Sequence, residues 1–151
     1  MIILRTGGLK VLWSIFSSRE KKKIKMWKKE HNQIVHVATE VISEYSKNNY
    51  PKAKEALKKL NVLAVDHLMD EDLEFYHWKK SSTPEMIQNI EIFTKSFKDV
   101  KLTLMHFLAK YSKPEKALDE IFFKEFNDLV EIITKRIEYE ENMLYTKMLK
   151  N

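Results

Sequence analysis

Residues 65–76 read VDHLMDEDLEFY, and this stretch contains the spacing that decides the fold. Apolar residues recur there every three or four positions, which is the spacing of one face of an α-helix. The same face carries His67 and Glu71, which stand four residues apart and therefore point in the same direction. Because burial of an unpaired charge is costly, such side chains need partners from other helices. We therefore predict a bundle of helices with a polar cluster in its interior.

The same spacing extends over most of the chain and predicts four helices. Their predicted ranges are 26–47, 52–80, 84–111 and 115–149. The breaks between them contain proline and residues that cap helices. Thr83 is the expected N-cap of the third helix, with Pro84 at its first position. Because connections this short join antiparallel neighbours, the sequence predicts an all-α, up-down-up-down antiparallel four-helix bundle.

The composition fits one helical domain that follows a basic N-terminal segment. The chain has 151 residues, 44% of them apolar and only two of them glycine, so turn-forming residues are too few for a many-stranded sheet. Residues 1–29 carry nine basic residues and one acid, which gives this segment a formal charge of +8. The formal net charge of the whole chain is +5, so residues 30–151 carry −3. We therefore expect no nucleic-acid binding by the bundle itself. The predicted division is an N-terminal arm, residues 1–25, and a bundle domain, residues 26–151.

The arm combines an apolar run at residues 9–16 with a basic cluster at residues 19–29. The run is far shorter than the roughly 20 residues that cross a bilayer. The basic cluster follows the apolar run, which is the reverse of the order in a secretory signal peptide. Two interpretations remain open: an interfacial segment that binds an anionic membrane surface, or a leader without that role.

Several classes of chemistry have no residues to carry them. Cysteine is absent, which excludes disulfides, thiolate metal sites and a cysteine nucleophile, and which is compatible with the cytoplasmic location that we expect. The sequence contains no glycine-rich phosphate loop and no Gly-x-Ser-x-Gly turn. We therefore expect a binding protein rather than an enzyme.

Ionisable residues interrupt the predicted inner faces of the helices at five positions. These are His31, His67, Glu71, Arg136 and Glu140. Residues 65–76 and 134–145 form an internal repeat, since each places a basic residue four positions before a pair of acids and ends in an apolar residue followed by tyrosine. Imidazole and carboxylate ligands together suit iron, manganese or zinc. The candidate ligands of one metal ion are His31, His67, Glu71 and Glu140.

With these residues the sequence resembles the hemerythrin-like domains over about residues 27–148. The matching positions are, in chain order, Glu30, His31, His67, Glu71, Asp72, Glu140 and Glu141. The resemblance implies a four-helix bundle that binds non-haem iron. It also implies a role in binding or sensing a diatomic ligand, oxygen or nitric oxide, or in iron handling.

Two positions depart from that family. Arg136 stands where helix 4 of the family carries a histidine. Phe97 stands where helix 3 of the family carries a second histidine. His106 does not replace it, because the apolar residues of the helix 3 face leave His106 pointing aside. Arg136 opposes a metal by its charge, or else bridges the two glutamates without one. A mononuclear metal site and a metal-free polar core both remain open.

The sequence also resembles the regulator of sigma D family, whose members are helical bundles. The matching segments are Trp27 with His31, Val65-Asp66-His67, and Arg136 with Glu140 and Glu141. This second resemblance implies a metal-free bundle that acts as a protein-interaction or regulatory module. Its implied partner is a protein, for example a sigma factor.

Overall fold

The computed structural model describes the backbone of residues 2–150 and the side chains of residues 19–80 and 82–149. The helices are α1 (Ile2–Ser46), α2 (Tyr50–Ser81), α3 (Pro84–Ser112), α4 (Glu120–Tyr139), a π-helical turn (Glu140–Leu144) and α5 (Tyr145–Lys150). The π turn joins α4 to α5 without a break, and we call these three elements together the fourth rod. No strand occurs between residues 2 and 150, so the prediction of an all-α four-helix bundle is confirmed.

The four rods pack side by side in an antiparallel bundle. α1 packs along α2 and α2 along α3, while the fourth rod contacts both α1 and α3. The break after α1 contains Asn48, whose φ of 62° lies in the left-handed region. Asparagine adopts this conformation more readily than most residues, so it suits the position just after a helix.

The predicted helix boundaries agree well for α2 and α3 but not for the fourth rod. Thr83 caps α3 as predicted, because its hydroxyl accepts a hydrogen bond from a backbone N–H of the first turn at 3.2 Å. α4 begins at Glu120 rather than at residue 115. The side chain of Asp119 caps this helix by accepting a backbone N–H at 2.8 Å, and residues 113–119 form a loop.

α1 also begins earlier than predicted, at Ile2 rather than near residue 26. Within the predicted arm, Lys23 Nζ lies 2.9 Å from Asp70 Oδ1, and Arg19 Nη2 lies 3.3 Å from Glu74 Oε1. Residues 19–25 therefore pack with α2. The side chains that would decide between an interfacial segment and a leader, those before Arg19, lie outside the described residues. None of the described helices combines the length and the apolar character that a membrane crossing requires.

Two apolar clusters fill the interior, one on each side of a polar layer. The first includes Val41, Leu57, Leu108 and Phe122 and joins all four rods. The second is largely aromatic and includes Trp27, Phe75, Phe93 and Tyr145. Along α1 and the fourth rod, the buried ionisable residues lie between the residues of these two clusters. On α2 they begin at His67, next to Leu68 of the first cluster, and end before Phe75 of the second. The polar layer is therefore shielded from water at both ends.

Candidate metal centre

All five predicted ionisable side chains meet at one level of the bundle. α1 supplies His31, α2 supplies His67 and Glu71, and the fourth rod supplies Arg136 and Glu140. Each is between 0% and 6% exposed. One potential ligand atom from each histidine and each glutamate lies within 4.8 Å of the others. The predicted convergence of the five residues is confirmed.

The two histidines face each other through their Nε2 atoms, which are 2.9 Å apart. His31 Nδ1 lies 2.8 Å from Glu141 Oε2, and His67 Nδ1 lies 2.8 Å from Glu30 Oε1. A carboxylate accepts hydrogen bonds, so each Nδ1 carries the hydrogen and each Nε2 is directed toward the centre. Metal-binding histidines have this arrangement, since the outer nitrogen donates to a carboxylate and the inner one binds the ion.

Without a metal, the two Nε2 atoms must share a proton. Two lone pairs would repel each other at 2.9 Å, so one nitrogen has to donate to the other. Burial lowers the pKa of His31, because it disfavours the charged form of the ring. Holding a proton here is therefore unfavourable, and a metal ion between the rings would replace it.

Glu71 is fully buried and only partly satisfied by hydrogen bonds. Its Oε1 lies 3.1 Å from His67 Nε2 and 3.8 Å from Arg136 Nη2, but it receives no well-aligned hydrogen bond from the described residues. Such an unsatisfied buried acceptor is rare, because it loses its hydration without replacement. Burial raises the pKa of Glu71. A cation bound at the Nε2 atoms would satisfy this oxygen.

Tyr145 belongs to the site, although the sequence did not assign it. Its hydroxyl lies 2.5 Å from Glu71 Oε2 and 2.7 Å from Glu140 Oε2. A phenol has one proton to donate, so one of these contacts requires a protonated carboxyl group. Burial, reinforced by Glu71, raises the pKa of Glu140 to about 8, which assigns the proton to Glu140 at neutral pH. Tyr145 thus donates to Glu71 and accepts from Glu140.

The π-helical turn brings Tyr145 to the centre. In a regular α-helix, with 3.6 residues per turn, positions five apart lie on different faces. Here the backbone N–H of Tyr145 bonds to the carbonyl of Glu140, and this wider turn lets both side chains point inward. Single π turns within α-helices are frequent at functional sites.

Arg136 lies at one side of the ligand set. Its Nε donates to Glu140 Oε1 at 3.0 Å, and its Nη2 lies 3.8 Å from Glu71 Oε1. The guanidinium carbon is 5.1 Å from the ring centre of Phe93 and 5.7 Å from that of Phe97. Arg136 therefore pairs closely with Glu140, more distantly with Glu71, and packs against two aromatic rings.

The remaining predicted positions divide clearly between the site and the surface. Phe97 packs against the aromatic cluster while His106 is exposed, as predicted, so α3 offers no histidine to the centre. Asp72, a position of the hemerythrin resemblance, is exposed and pairs with Lys101 at 2.7 Å. The acids that contact the outer Nδ1 atoms of the histidines are instead Glu30 and Glu141.

An apolar cavity of about 30 Å³ adjoins the ligand set. His31, His67, Arg136 and Glu140 form its polar wall, and Lys101 together with aliphatic side chains from all four rods forms the rest. One water-sized molecule needs about 10–15 Å³ of such space. The candidate ligands therefore face a space that fits a diatomic molecule.

In comparisons with known proteins, no family model, no curated protein and no solved structure matches this chain. Both family resemblances therefore remain expectations. Function has to be inferred from the geometry of the site.

Proposed function

We propose that the bundle binds one iron ion through His31, His67, Glu71 and Glu140 and thereby binds or senses a diatomic ligand, oxygen or nitric oxide. The pair of Nε2 atoms 2.9 Å apart carries the proposal, because each ring is already oriented by a carboxylate on its Nδ1. Two histidines with carboxylates and open coordination positions are typical of non-haem ferrous sites. The unsatisfied Oε1 of Glu71 adds a ligand at the same place.

The donor atoms fit a metal ion after a small contraction. Ligands about 2.0–2.2 Å from an ion lie about 3–4.4 Å from one another, depending on the geometry. The four donor atoms here lie within 4.8 Å of one another. Binding also requires Glu140 to give up its proton and the histidine pair to give up the one that it shares, so metal uptake releases protons.

The cavity supports the assignment of a diatomic ligand. Aliphatic side chains line it on the sides away from the ligand set, so a small apolar ligand held there would lie against them. Bound iron would supply open coordination positions next to this space. Arg136 lines the same cavity and carries hydrogen-bond donors, so it can stabilise a ligand that gains negative charge.

An anaerobic titration of chelator-treated protein with ferrous iron tests the proposal. We expect one iron per chain and a higher melting temperature, because a ligand that binds only the native state stabilises it. Nitric oxide should then change the paramagnetic resonance spectrum of the iron-loaded protein. His31→Ala and His67→Ala should abolish iron binding. The matched control, His106→Ala, alters an exposed histidine and should bind iron as the parent does.

Two outcomes would overturn the proposal. One is a parent protein that retains no iron. The other is equal retention by the parent and by His31→Ala and His67→Ala, with folding of each variant verified by circular dichroism.

One observation favours the alternative, a metal-free bundle that acts as a protein-interaction or regulatory module, for example by binding a sigma factor. Arg136 and Tyr145 already bond to the carboxyl groups, with Arg136 Nε 3.0 Å from Glu140 and the Tyr145 hydroxyl 2.5 Å from Glu71. Under this alternative, these donors stabilise the buried carboxyl groups without a metal, and Glu71 Oε1 is left without a hydrogen bond from the described residues. Ferrous iron should then leave the melting temperature unchanged.

A further inference from the structure

Three aromatic rings form a line from the metal centre toward the surface. The ring centre of Tyr145 lies 5.6 Å from that of Trp27, which lies 5.5 Å from that of Trp78. Tyr145 also stacks on His31, with 6.0 Å between ring centres and 8° between ring planes. Trp27 is fully buried, whereas Trp78 is partly exposed. The line therefore connects the centre with solvent in two short steps.

The two inner rings of this line, Trp27 and Tyr145, each donate a hydrogen bond to a carboxyl group. Trp27 Nε1 donates to Asp70 Oδ2 at 2.7 Å, and the Tyr145 hydroxyl donates to Glu71 Oε2 at 2.5 Å. Tryptophan and tyrosine are among the side chains that most readily give up an electron, and tyrosine gives up its proton at the same time. A carboxylate at hydrogen-bond distance is placed to accept that proton. Close ring spacing and adjacent proton acceptors are the two requirements of stepwise electron transfer through side chains.

We propose that Trp78, Trp27 and Tyr145 form a route along which electrons pass from the surface to the metal centre. The route rests on the proposed function, since it serves the iron that this centre is proposed to hold. Its outer end is Trp78, because of the three rings only Trp78 is accessible to a redox partner in solution.

The route has a use when hydrogen peroxide reaches ferrous iron at the centre. Reduction of one peroxide to two waters breaks the O–O bond and takes two electrons and two protons. One electron would come from the ferrous ion, which would become ferric, and the other from Tyr145, whose phenolic proton would pass to the peroxide oxygen by way of Glu71. Solvent supplies the second proton. Trp27 would then reduce the Tyr145 radical and Trp78 would reduce Trp27, while a one-electron reductant such as ascorbate supplies the electron and proton that restore Tyr145. A second electron from the same reductant, passed along the same rings, would return the ferric ion to the ferrous state.

The route can be tested in metal-free protein, so that the result does not depend on iron binding. The chain lacks cysteine, so Ser82→Cys provides a single attachment point for a ruthenium photosensitiser, four residues after Trp78. A flash in the presence of an irreversible electron acceptor produces ruthenium(III), which takes one electron from the protein and returns to ruthenium(II). This electron leaves along the same line of rings in the outward direction, so the experiment tests the connection between the rings. Electron paramagnetic resonance of the frozen sample identifies the radical. Protein made with deuterated tyrosine checks that the signal comes from a tyrosine. A Trp13→Phe background removes the third tryptophan.

We expect a tyrosyl radical in this background and its loss in Tyr145→Phe. Trp27→Phe and Trp78→Phe should also lose the tyrosyl signal, because each interrupts the line of oxidisable rings. Trp78→Phe changes a partly exposed ring, so it keeps the test decisive even where the buried Trp27→Phe fails to fold. The matched control is Tyr76→Phe, which removes a tyrosine that is 58% exposed and two residues from Trp78, and which should keep the signal.

Several results would overturn the route. They are the absence of a tyrosyl radical in the parent background, its persistence in Tyr145→Phe, its persistence in Trp78→Phe, and its loss in Tyr76→Phe. The iron titration gives a separate answer. Failure to bind iron removes the proposed function and leaves the radical result unchanged, whereas failure of the route leaves iron binding intact.

Discussion

The two halves of the internal repeat share a sequence pattern but differ in local structure. In α2, residues 65–76 form a regular α-helix, and Tyr76 at their end is 58% exposed. In the fourth rod, residues 134–145 pass through the π turn, and Tyr145 at their end is fully buried. One wider turn therefore decides whether the last tyrosine of the repeat faces solvent or the candidate metal ligands.

The two halves also contribute opposite chemistry to the centre. The α2 half provides His67 and Glu71, whose inward atoms are placed to accept a proton or to bind a cation. The half in the fourth rod provides Arg136 and Tyr145, whose donors occupy the carboxyl groups. Metal ion and protein donors therefore compete for the same oxygens, and substitutions in the fourth rod should shift that competition.

The largest expected effect on stability follows from truncation of Arg136 in metal-free protein. Arg136→Ala removes the partner of Glu140 and the more distant partner of Glu71, both buried. Because Glu140 holds its proton at neutral pH, the charge left without a cation is that of Glu71, and leaving a buried charge unpaired costs about 3–5 kcal/mol. Urea denaturation at neutral pH should show this loss in the free energy of unfolding.

The neighbouring residue Lys135 provides the matched control for that measurement. Its side chain is 71% exposed and pairs with Glu131 along the helix. Lys135→Ala should change the free energy of unfolding by less than about 1 kcal/mol. Equal losses in the two variants would mean that Arg136 contributes no more than a surface charge.

The next largest effect is expected from a substitution that makes the two halves of the repeat chemically alike. Arg136→His gives the fourth rod the basic ring that α2 already has, and it removes the cation that repels a metal. Ferrous iron at about a hundred times its dissociation constant stabilises a native state by about 2.7 kcal/mol. We expect the variant to melt below the parent without iron and to gain more than the parent when iron is added. Melting curves that iron changes equally in both proteins would contradict this competition.

The sequence predicts the members of the cluster better than their contacts. Helical spacing identified all five ionisable residues, because 3.6 residues per turn fixes which positions share a face over a regular helix. The same rule excluded His106 and placed Phe97 inward, and the structure agrees with both. Periodicity works here because burial of an apolar face fixes the rotation of each helix.

Other features depend on information that periodicity does not contain. The π turn changes the number of residues per turn at Glu140, so a regular repeat assigns Leu144 to the inner face but not Tyr145. The start of α4 depends on the Asp119 cap, whereas the proline signal pointed to residue 115. Glu30 precedes a predicted ligand, but only the packing of α1 on α2 shows that it contacts His67.

A smaller change in the free energy of unfolding is expected when the two tyrosines of the repeat are compared directly. Tyr145→Phe removes the hydroxyl between Glu71 and Glu140 and leaves two buried carboxyl groups without that partner. Such a loss costs about 1–3 kcal/mol. Tyr76→Phe, at the equivalent exposed position, should change the free energy of unfolding by less than about 0.5 kcal/mol. Denaturation curves that do not differ between the two variants would show that the π turn has no energetic role at the centre.

Per unit of pH, the smallest effect is the pH dependence of the free energy of unfolding, which reports the proton at Glu140. Burial and Glu71 raise the pKa of this group from the ordinary 4.5 to about 8, so between these values the native state holds a proton that the unfolded state lacks. The free energy of unfolding of metal-free protein should therefore fall as pH rises through this window, by at most about 1.4 kcal/mol per unit. Glu140→Gln keeps a donor toward Tyr145 but cannot titrate, so it should remove this component of the slope, whereas Glu138→Gln, at an exposed position, should keep it.

Iron affinity should change in the opposite direction and rise with pH, because the ligands must lose their protons. Parallel pH profiles for the parent and Glu140→Gln would place the proton elsewhere in the cluster and would remove the competition between proton and metal from the fourth rod.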